Sequence, residues 1–187
     1  MAFFGDNKTT LVKNLIYTNM ATITLGGTIT KTIGELPEIG SKAPDFSLTA
    51  TDLSTKTLSD FNNENLVLNI FPSVDTGVCD QSVRRFNTLA AEMNNAKVLC
   101  ISRDLPFRQD QYCGGADIDN VVMLSDFKTG AFGKTYGLII TGGIFEALLS
   151  RCIIVINKEG VIVYNEQVKE IGDEPNYDKA LEAVAKL

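Results

Sequence analysis

Cys79 closes the stretch Phe71-Pro72-Ser73-Val74-Asp75-Thr76-Gly77-Val78-Cys79, where an apolar strand pattern gives way to a helical one. Pro72 bars the strand from continuing its ladder, so a short loop must lead to a helix that starts near the thiol. A thiol in the first turn of a helix faces unpaired N–H groups and the positive end of the helix dipole, which favour thiolate over thiol. In an open α/β sheet, the crevice beyond the carboxyl end of a strand is also where ligands bind. The chemistry on offer is therefore nucleophilic attack by sulfur. A free thiol with a pKa of ~8.5 is ~3% thiolate at pH 7, and lowering it to ~6 gives roughly 90%, a gain of only about thirtyfold. Any larger acceleration needs groups that polarise the substrate and stabilise the departing charge. The candidates are the backbone amides around Val78 and Cys79, the Thr76 hydroxyl, and Arg151, which precedes the apolar run Cys152–Ile156. A cation at the head of such a run needs a partner if it is buried. Composition alone favours an exposed strand-end charge.

The rest of the composition narrows the field. There is no histidine, so a Ser–His or Cys–His nucleophile pair, a His metal ligand and a haem with a proximal His are all excluded. Seventeen basic against 23 acidic residues leave a net charge of −6, which argues against nucleic acid or an anionic membrane as partner. The four cysteines Cys79, Cys100, Cys113 and Cys152 are too few for a disulfide scaffold, and no two are spaced as a zinc half-site or a C-x-x-C pair. Cys100 lies in the strand pattern LCIS, as a small packed hydrophobe would. The string Gly133-Lys134-Thr135 is not a phosphate-binding loop, because position 128 is Lys128 rather than glycine. Residues 1–20 carry Asp6, Lys8 and Lys13 and show no secretory signal, and no apolar run approaches a membrane span, so a cytoplasmic protein is expected.

The length of 187 residues suits one domain, here residues 20–187 preceded by residues 1–19 as a mobile arm or leader. From Met20 the pattern predicts a hairpin, with Ile23 and Leu25 on one strand, Gly26-Gly27 turning, and Ile29 and Ile33 on the other. Asp45–Ala50 alternates as a half-buried strand, and Leu66–Phe71 reads as a central strand covered on both faces. Val83, Phe86, Ala90 and Met93 form one stripe of an amphipathic helix. Further strands are predicted at Lys97–Ser102 and Val121–Leu124, and helices at Pro106–Tyr112 and Asp126–Tyr136. A hairpin of 150–156 with 161–168 follows, then a final helix carrying Tyr177, Leu181 and Val184 beyond Pro175. This is an α/β order that implies a mixed sheet flanked by helices, and it resembles the thioredoxin-like layout with an extra N-terminal hairpin.

The string P-x-x-x-T-x-x-C, met by Pro72, Thr76 and Cys79, resembles the active-site motif of the peroxiredoxins. The longer agreement is with the bacterial thiol peroxidases, which are atypical two-cysteine peroxiredoxins. It runs through NIFPSVDTGVCDQSVRRFN, VLCISRDLPFRQDQYCGGAD, LSDF, FGKTYG, the Arg151 strand and EPNYDKALEAV, in similar order and spacing from about Met20 to the C-terminus. The resemblance implies that Cys79 is the peroxidatic cysteine, which attacks a peroxide oxygen and becomes a sulfenic acid. It implies that Pro72 shields that acid, that Thr76 bonds both thiolate and peroxide, and that Arg151 lowers the cysteine pKa and holds the peroxide. Cys113 matches the resolving cysteine, which forms an intramolecular disulfide with Cys79 that thioredoxin then reduces. A disulfide needs Cα atoms within about 7 Å, so a Cys79 that begins one helix and a Cys113 that ends another imply local unfolding around Cys113.

Hydrogen peroxide and organic hydroperoxides are the implied substrates, with no haem, flavin or metal, in a homodimer. Two departures stand out: the arm 1–19, and Cys152, where the family usually has a small residue such as alanine. Strand alternation turns Cys152 to the face opposite Arg151, so packing is expected of it. The same thiols also fit a peroxide-responsive redox sensor, or a one-cysteine peroxidase using Cys79 alone.

Overall fold

The computed structural model describes residues 19–93 and 95–187. Of the expected arm 1–19, all but Asn19 lies outside the described residues. The elements run in the order β1 Thr22–Leu25, β2 Thr28–Lys31, β3 Ser47–Ala50, β4 Thr55–Thr57, a 3-10 turn Leu58–Phe61, β5 Asn65–Ile70, α1 Gly77–Glu92, β6 Ala96–Ser102, α2 Pro106–Ala116, β7 Val122–Ser125, α3 Ala131–Thr135, β8 Cys152–Ile156, β9 Ile162–Gln167 and α4 Tyr177–Ala185. β1 and β2 form a small antiparallel sheet of their own. The other seven strands form one mixed sheet in the order β4-β3-β7-β6-β5-β8-β9, with β5, β6 and β7 parallel and the remaining pairings antiparallel.

β5 lies near the middle of this sheet, between β6 and β8, and its alternation splits the interior into two cores. Leu66, Leu68 and Ile70 face the core that also holds Phe132 and Tyr136 of the α3 region and Cys152, Ile154 and Ile156 of β8. Val67 faces the other core, with Val83 and Phe86 of α1, Tyr112 of α2, and Ala180 and Val184 of α4. The helical stripe expected from Val83 and Phe86 is therefore the one α1 buries, with Ala90 and Met93 half-buried along its edge. Cys152 lies opposite the Arg151 side of the sheet, as strand alternation requires.

Several boundaries differ from expectation, each for a local reason. The helix expected over 126–136 is only the five residues of α3. Asp126 instead follows β7 and accepts the N–H groups of Phe132 and Gly133 at 3.1 and 2.9 Å, so residues 126–130 form a loop bonded to the start of the helix. α2 runs on past Tyr112 to Ala116, so Cys113 stands inside the helix rather than at its end. In the N-terminal hairpin, β2 ends at Lys31 and leaves Ile33 beyond it, while Ile29 is 71% exposed. The strand β4 and the turn after it were not visible in the sequence, because Thr55-Lys56-Thr57 carries no apolar pattern.

Two glycine features fix the hairpin and its seat. Gly26 and Gly27 have φ of 57° and 77°, the two positive values that a tight two-residue hairpin turn needs. Gly137, at φ 73°, passes so close to Glu35 that a Cβ there would lie 2.4 Å from the Glu35 carbonyl oxygen. Gly137→Ala is expected to destabilise the fold by about 2 kcal/mol or more, since both conformation and space oppose a side chain. Denaturant unfolding at unchanged m-value checks this.

Candidate active site

The site is assembled where β5 hands over to α1. Pro72 is buried in the loop after β5, and Ser73–Thr76 carry the chain to the helix. Thr76 is the N-cap residue of α1, with φ −108° and ψ 140°, yet its side chain caps no backbone N–H. Its hydroxyl lies 2.8 Å from the Cys79 Sγ and 3.2 Å from the Ser73 carbonyl. Cys79 is the third residue of the helix and so stands in its first turn, where backbone N–H groups lack intrahelical partners. The Asp80 N–H is the first to close an intrahelical bond, onto the Thr76 carbonyl at 3.0 Å.

Arg151 comes from the far side of β5, at the head of β8. It is 2% exposed, so the bland reading of a solvated strand-end charge is overturned. Nη2 donates to the Cys79 Sγ at 3.3 Å and Nε donates to the Ile171 carbonyl at 3.0 Å. Nη1 is buried without a hydrogen-bond partner. Thr76, Cys79 and Arg151 are thus brought together as the sequence suggested. Pro72 is placed in the same loop, one residue before Ser73, and the site offers no metal-ligating cluster among the described residues. Cys79 is completely buried, and a hydroxyl and a guanidinium N–H both donate to its sulfur.

Cys113 is the fourth element, and the structure keeps it apart from Cys79 as a free thiol. It is half-buried on α2, against the same apolar core. Burial pushes its thiol above the ordinary range, and Asp110 adds to the effect. Gly114 and Gly115 follow it inside the last turn of α2, which ends at Asp117 in the left-handed region. Two helical glycines cost about 1 kcal/mol each relative to alanine, so this turn is weakly held.

Sequence reasoning missed the side chains that brace the loop. Asp104 accepts from the Ser73 hydroxyl at 2.7 Å, the Val74 N–H at 2.9 Å and the Ser102 hydroxyl at 2.8 Å. Arg108 of α2 is paired with Asp75, and the Tyr112 hydroxyl donates to Asp80 at 2.7 Å. These contacts join α2 to the loop and to the first turn of α1, across some thirty positions of sequence that no local pattern reveals.

The two remaining thiols are placed as packing. Cys100 is fully buried in β6, where Asn69 donates to its sulfur at 3.5 Å, and burial pushes it up to about 12. Cys152 is fully buried in the opposite core, and burial pushes it higher still.

Comparison with known proteins places the chain in a family. A family model described as Redoxin matches residues 38–181. The chain is 48% identical to the thiol peroxidase of Mycobacterium tuberculosis over 165 residues, which cover 88% of this chain and 99% of that protein. It is 45% identical to the thiol peroxidase of Corynebacterium glutamicum, with the same coverage. Among solved structures, a peroxiredoxin-like protein from Aquifex aeolicus superposes with a TM-score of 0.84 at 34% identity, covering 90% of this chain and 98% of that one.

Labelling tests the placement of the thiols. In the native reduced protein, N-ethylmaleimide is expected to modify Cys113 well before Cys100 and Cys152, which should react only after denaturation. Peptide mass spectrometry reads this out, and labelling of Cys152 in the folded protein would contradict its position.

Proposed function

We propose a reaction cycle whose premise is that the chain belongs to the Redoxin family and, within it, to the thiol peroxidases. It is a peroxidase of the peroxiredoxin type. The observation that carries the cycle is the convergence of the Thr76 hydroxyl and the Arg151 guanidinium on one buried sulfur.

Hydrogen peroxide or an organic hydroperoxide enters beside Cys79. The thiolate attacks the terminal oxygen, a sulfur–oxygen bond forms and the oxygen–oxygen bond breaks. The departing oxygen takes a proton and leaves as water or alcohol, and Cys79 becomes a sulfenic acid. Thr76 holds the thiolate and the incoming peroxide. Nη2 of Arg151 steadies the sulfur, while Nη1, with no partner of its own, is available to donate to the peroxide as charge builds on it. Pro72 walls the sulfenic acid from solvent.

The sulfur of Cys113 then attacks the sulfenic sulfur, the sulfur–oxygen bond breaks and water leaves, giving the Cys79–Cys113 disulfide. Burial holds the Cys113 thiol protonated in the folded helix. Opening the weak end of α2 removes that penalty and frees the chain to bring the two sulfurs together, so resolution and local unfolding are one event. Thioredoxin, through its own dithiol, returns both cysteines to thiols. A homodimer in the cytoplasm completes the reading, supported by the family resemblance. Among the described residues no helix is long and apolar enough to cross a membrane.

The cycle is tested by peroxide consumption with NADPH, thioredoxin reductase and thioredoxin. Cys79→Ser should be inactive, and Cys113→Ser should stop after about one turnover, because without the Cys113 thiol the Cys79 sulfenic acid forms no intramolecular disulfide for thioredoxin to reduce. Full thioredoxin-linked turnover by Cys113→Ser would favour a one-cysteine peroxidase. A parent protein that is oxidised at Cys79 but does not turn over would be a sensor. Hydrogen exchange supplies a second test, in which residues 106–117 exchange faster in the disulfide form than in the reduced form. Identical profiles would contradict the coupling of resolution to unfolding.

A further inference from the structure

Arg151 is aimed by a segment outside the sheet. The Val168 N–H donates to the Arg151 carbonyl at 3.0 Å, and the Ile171 carbonyl accepts from Nε at 3.0 Å. Val168–Ile171, which follows β9, therefore grips both ends of the arginine. The outer edge of that segment is held by the β1–β2 hairpin. The Thr24 N–H donates to the Lys169 carbonyl at 2.7 Å, and the Ile171 N–H donates to the Thr24 carbonyl at 2.8 Å. Ile23, Ile140 and Ile171 pack together beneath.

Glu170 closes this joint. Its carboxylate accepts from the Thr24 hydroxyl at 2.8 Å, from the N–H groups of Gly26 and Gly27 at 2.9 and 3.0 Å, and from the Gly172 N–H at 3.1 Å. The hairpin turn offers both glycine N–H groups to one carboxylate only because both residues take positive φ. Those donors, the backbone of Gly27 foremost, hold the carboxyl down at about 2, so the clamp is charged at any working pH.

We propose that Glu170 is a positioning residue, which by clamping the turn of the N-terminal hairpin fixes the Ile171 carbonyl and, through it, the direction in which Arg151 meets Cys79. The inference rests on the reading of Arg151 given under the proposed function and deepens it. It assigns the hairpin, an addition to the thioredoxin-like layout, a part in the chemistry of a thiol that it does not touch. The effect has a sign that separates it from simple charge. Removing a carboxylate makes the surroundings more positive and lowers the pH at which Cys79 ionises. Releasing Arg151 from its mark raises that pH.

The test follows thiolate absorbance against pH in a Cys113→Ser background, together with the second-order rate of Cys79 oxidation by hydrogen peroxide. Glu170→Ala, Glu170→Gln and Thr24→Val are compared with Arg151→Lys, and circular dichroism establishes that each is folded. Glu170→Ala is expected to raise the midpoint by about one pH unit and to slow oxidation about tenfold below it. Thr24→Val, which leaves the charge in place, should shift it the same way by less, and it decides the matter if the Glu170 variants do not fold. An unchanged or lowered midpoint in a folded clamp variant, with Arg151→Lys raising it, overturns the role of Glu170 alone. No movement in Arg151→Lys overturns the role of Arg151, and the clamp with it.

Discussion

A guanidinium buried to 2% exposure, with no carboxylate pairing it among the described ion pairs, is the constraint on which the rest of the structure depends. Burying an uncompensated charge costs several kcal/mol, and here the first turn of α1 points a second positive potential at the same place. Two positive ends converge, and the Cys79 sulfur stands where they meet. Much of the fold's irregular backbone then becomes intelligible. Ile171 must turn its carbonyl toward Nε, Val168 must meet the Arg151 carbonyl, and the chain after β5 must break early enough to start a helix at Gly77.

The contacts between α1 and α2 are graded in strength. Arg108–Asp75 is an exposed pair, a class that contributes between zero and about 1 kcal/mol. Asp104 is stronger, since it gathers two hydroxyls and a backbone N–H onto one carboxylate. The last turn of α2, with its two glycines, is weaker than either. Such an ordering holds the loop before α1 in place and leaves the Cys113 end of α2 the first to part, as the proposed cycle requires.

The strand run at Leu66–Phe71, the helical stripe of α1 and the hairpin of β8 with β9 were all legible, because period and apolar content decide them locally. Cys79 and Thr76 were legible for the same reason, lying within one loop and one helical turn. Arg151 was ambiguous on composition, since burial at the head of a strand depends on what covers it. The segment Val168–Ile171 supplies that cover and announces nothing in sequence. Asp104 and Glu170 carry no local pattern that sets them apart from the other acidic residues. Their partners stand about 30 and 145 positions away, and only the closed fold brings them together. The loop at 126–130 was misread as helix because Asp126 bonds two N–H groups of a helix that begins five residues later.

The alternation of β5 also has a meaning for change over time. Because Leu66, Leu68 and Ile70 belong to one core and Val67 to another, the central sheet acts as a partition between a face that carries the chemistry and a face that carries only packing. Substitutions that conserve volume on the Cys152 face can accumulate with little consequence for the geometry at Cys79. That leaves one half of the interior open to drift, and to the selection of thermal tolerance, while the other half stays bound to the reaction. A cysteine at position 152, fully buried in the core opposite Cys79, is the sort of residue such a partition permits.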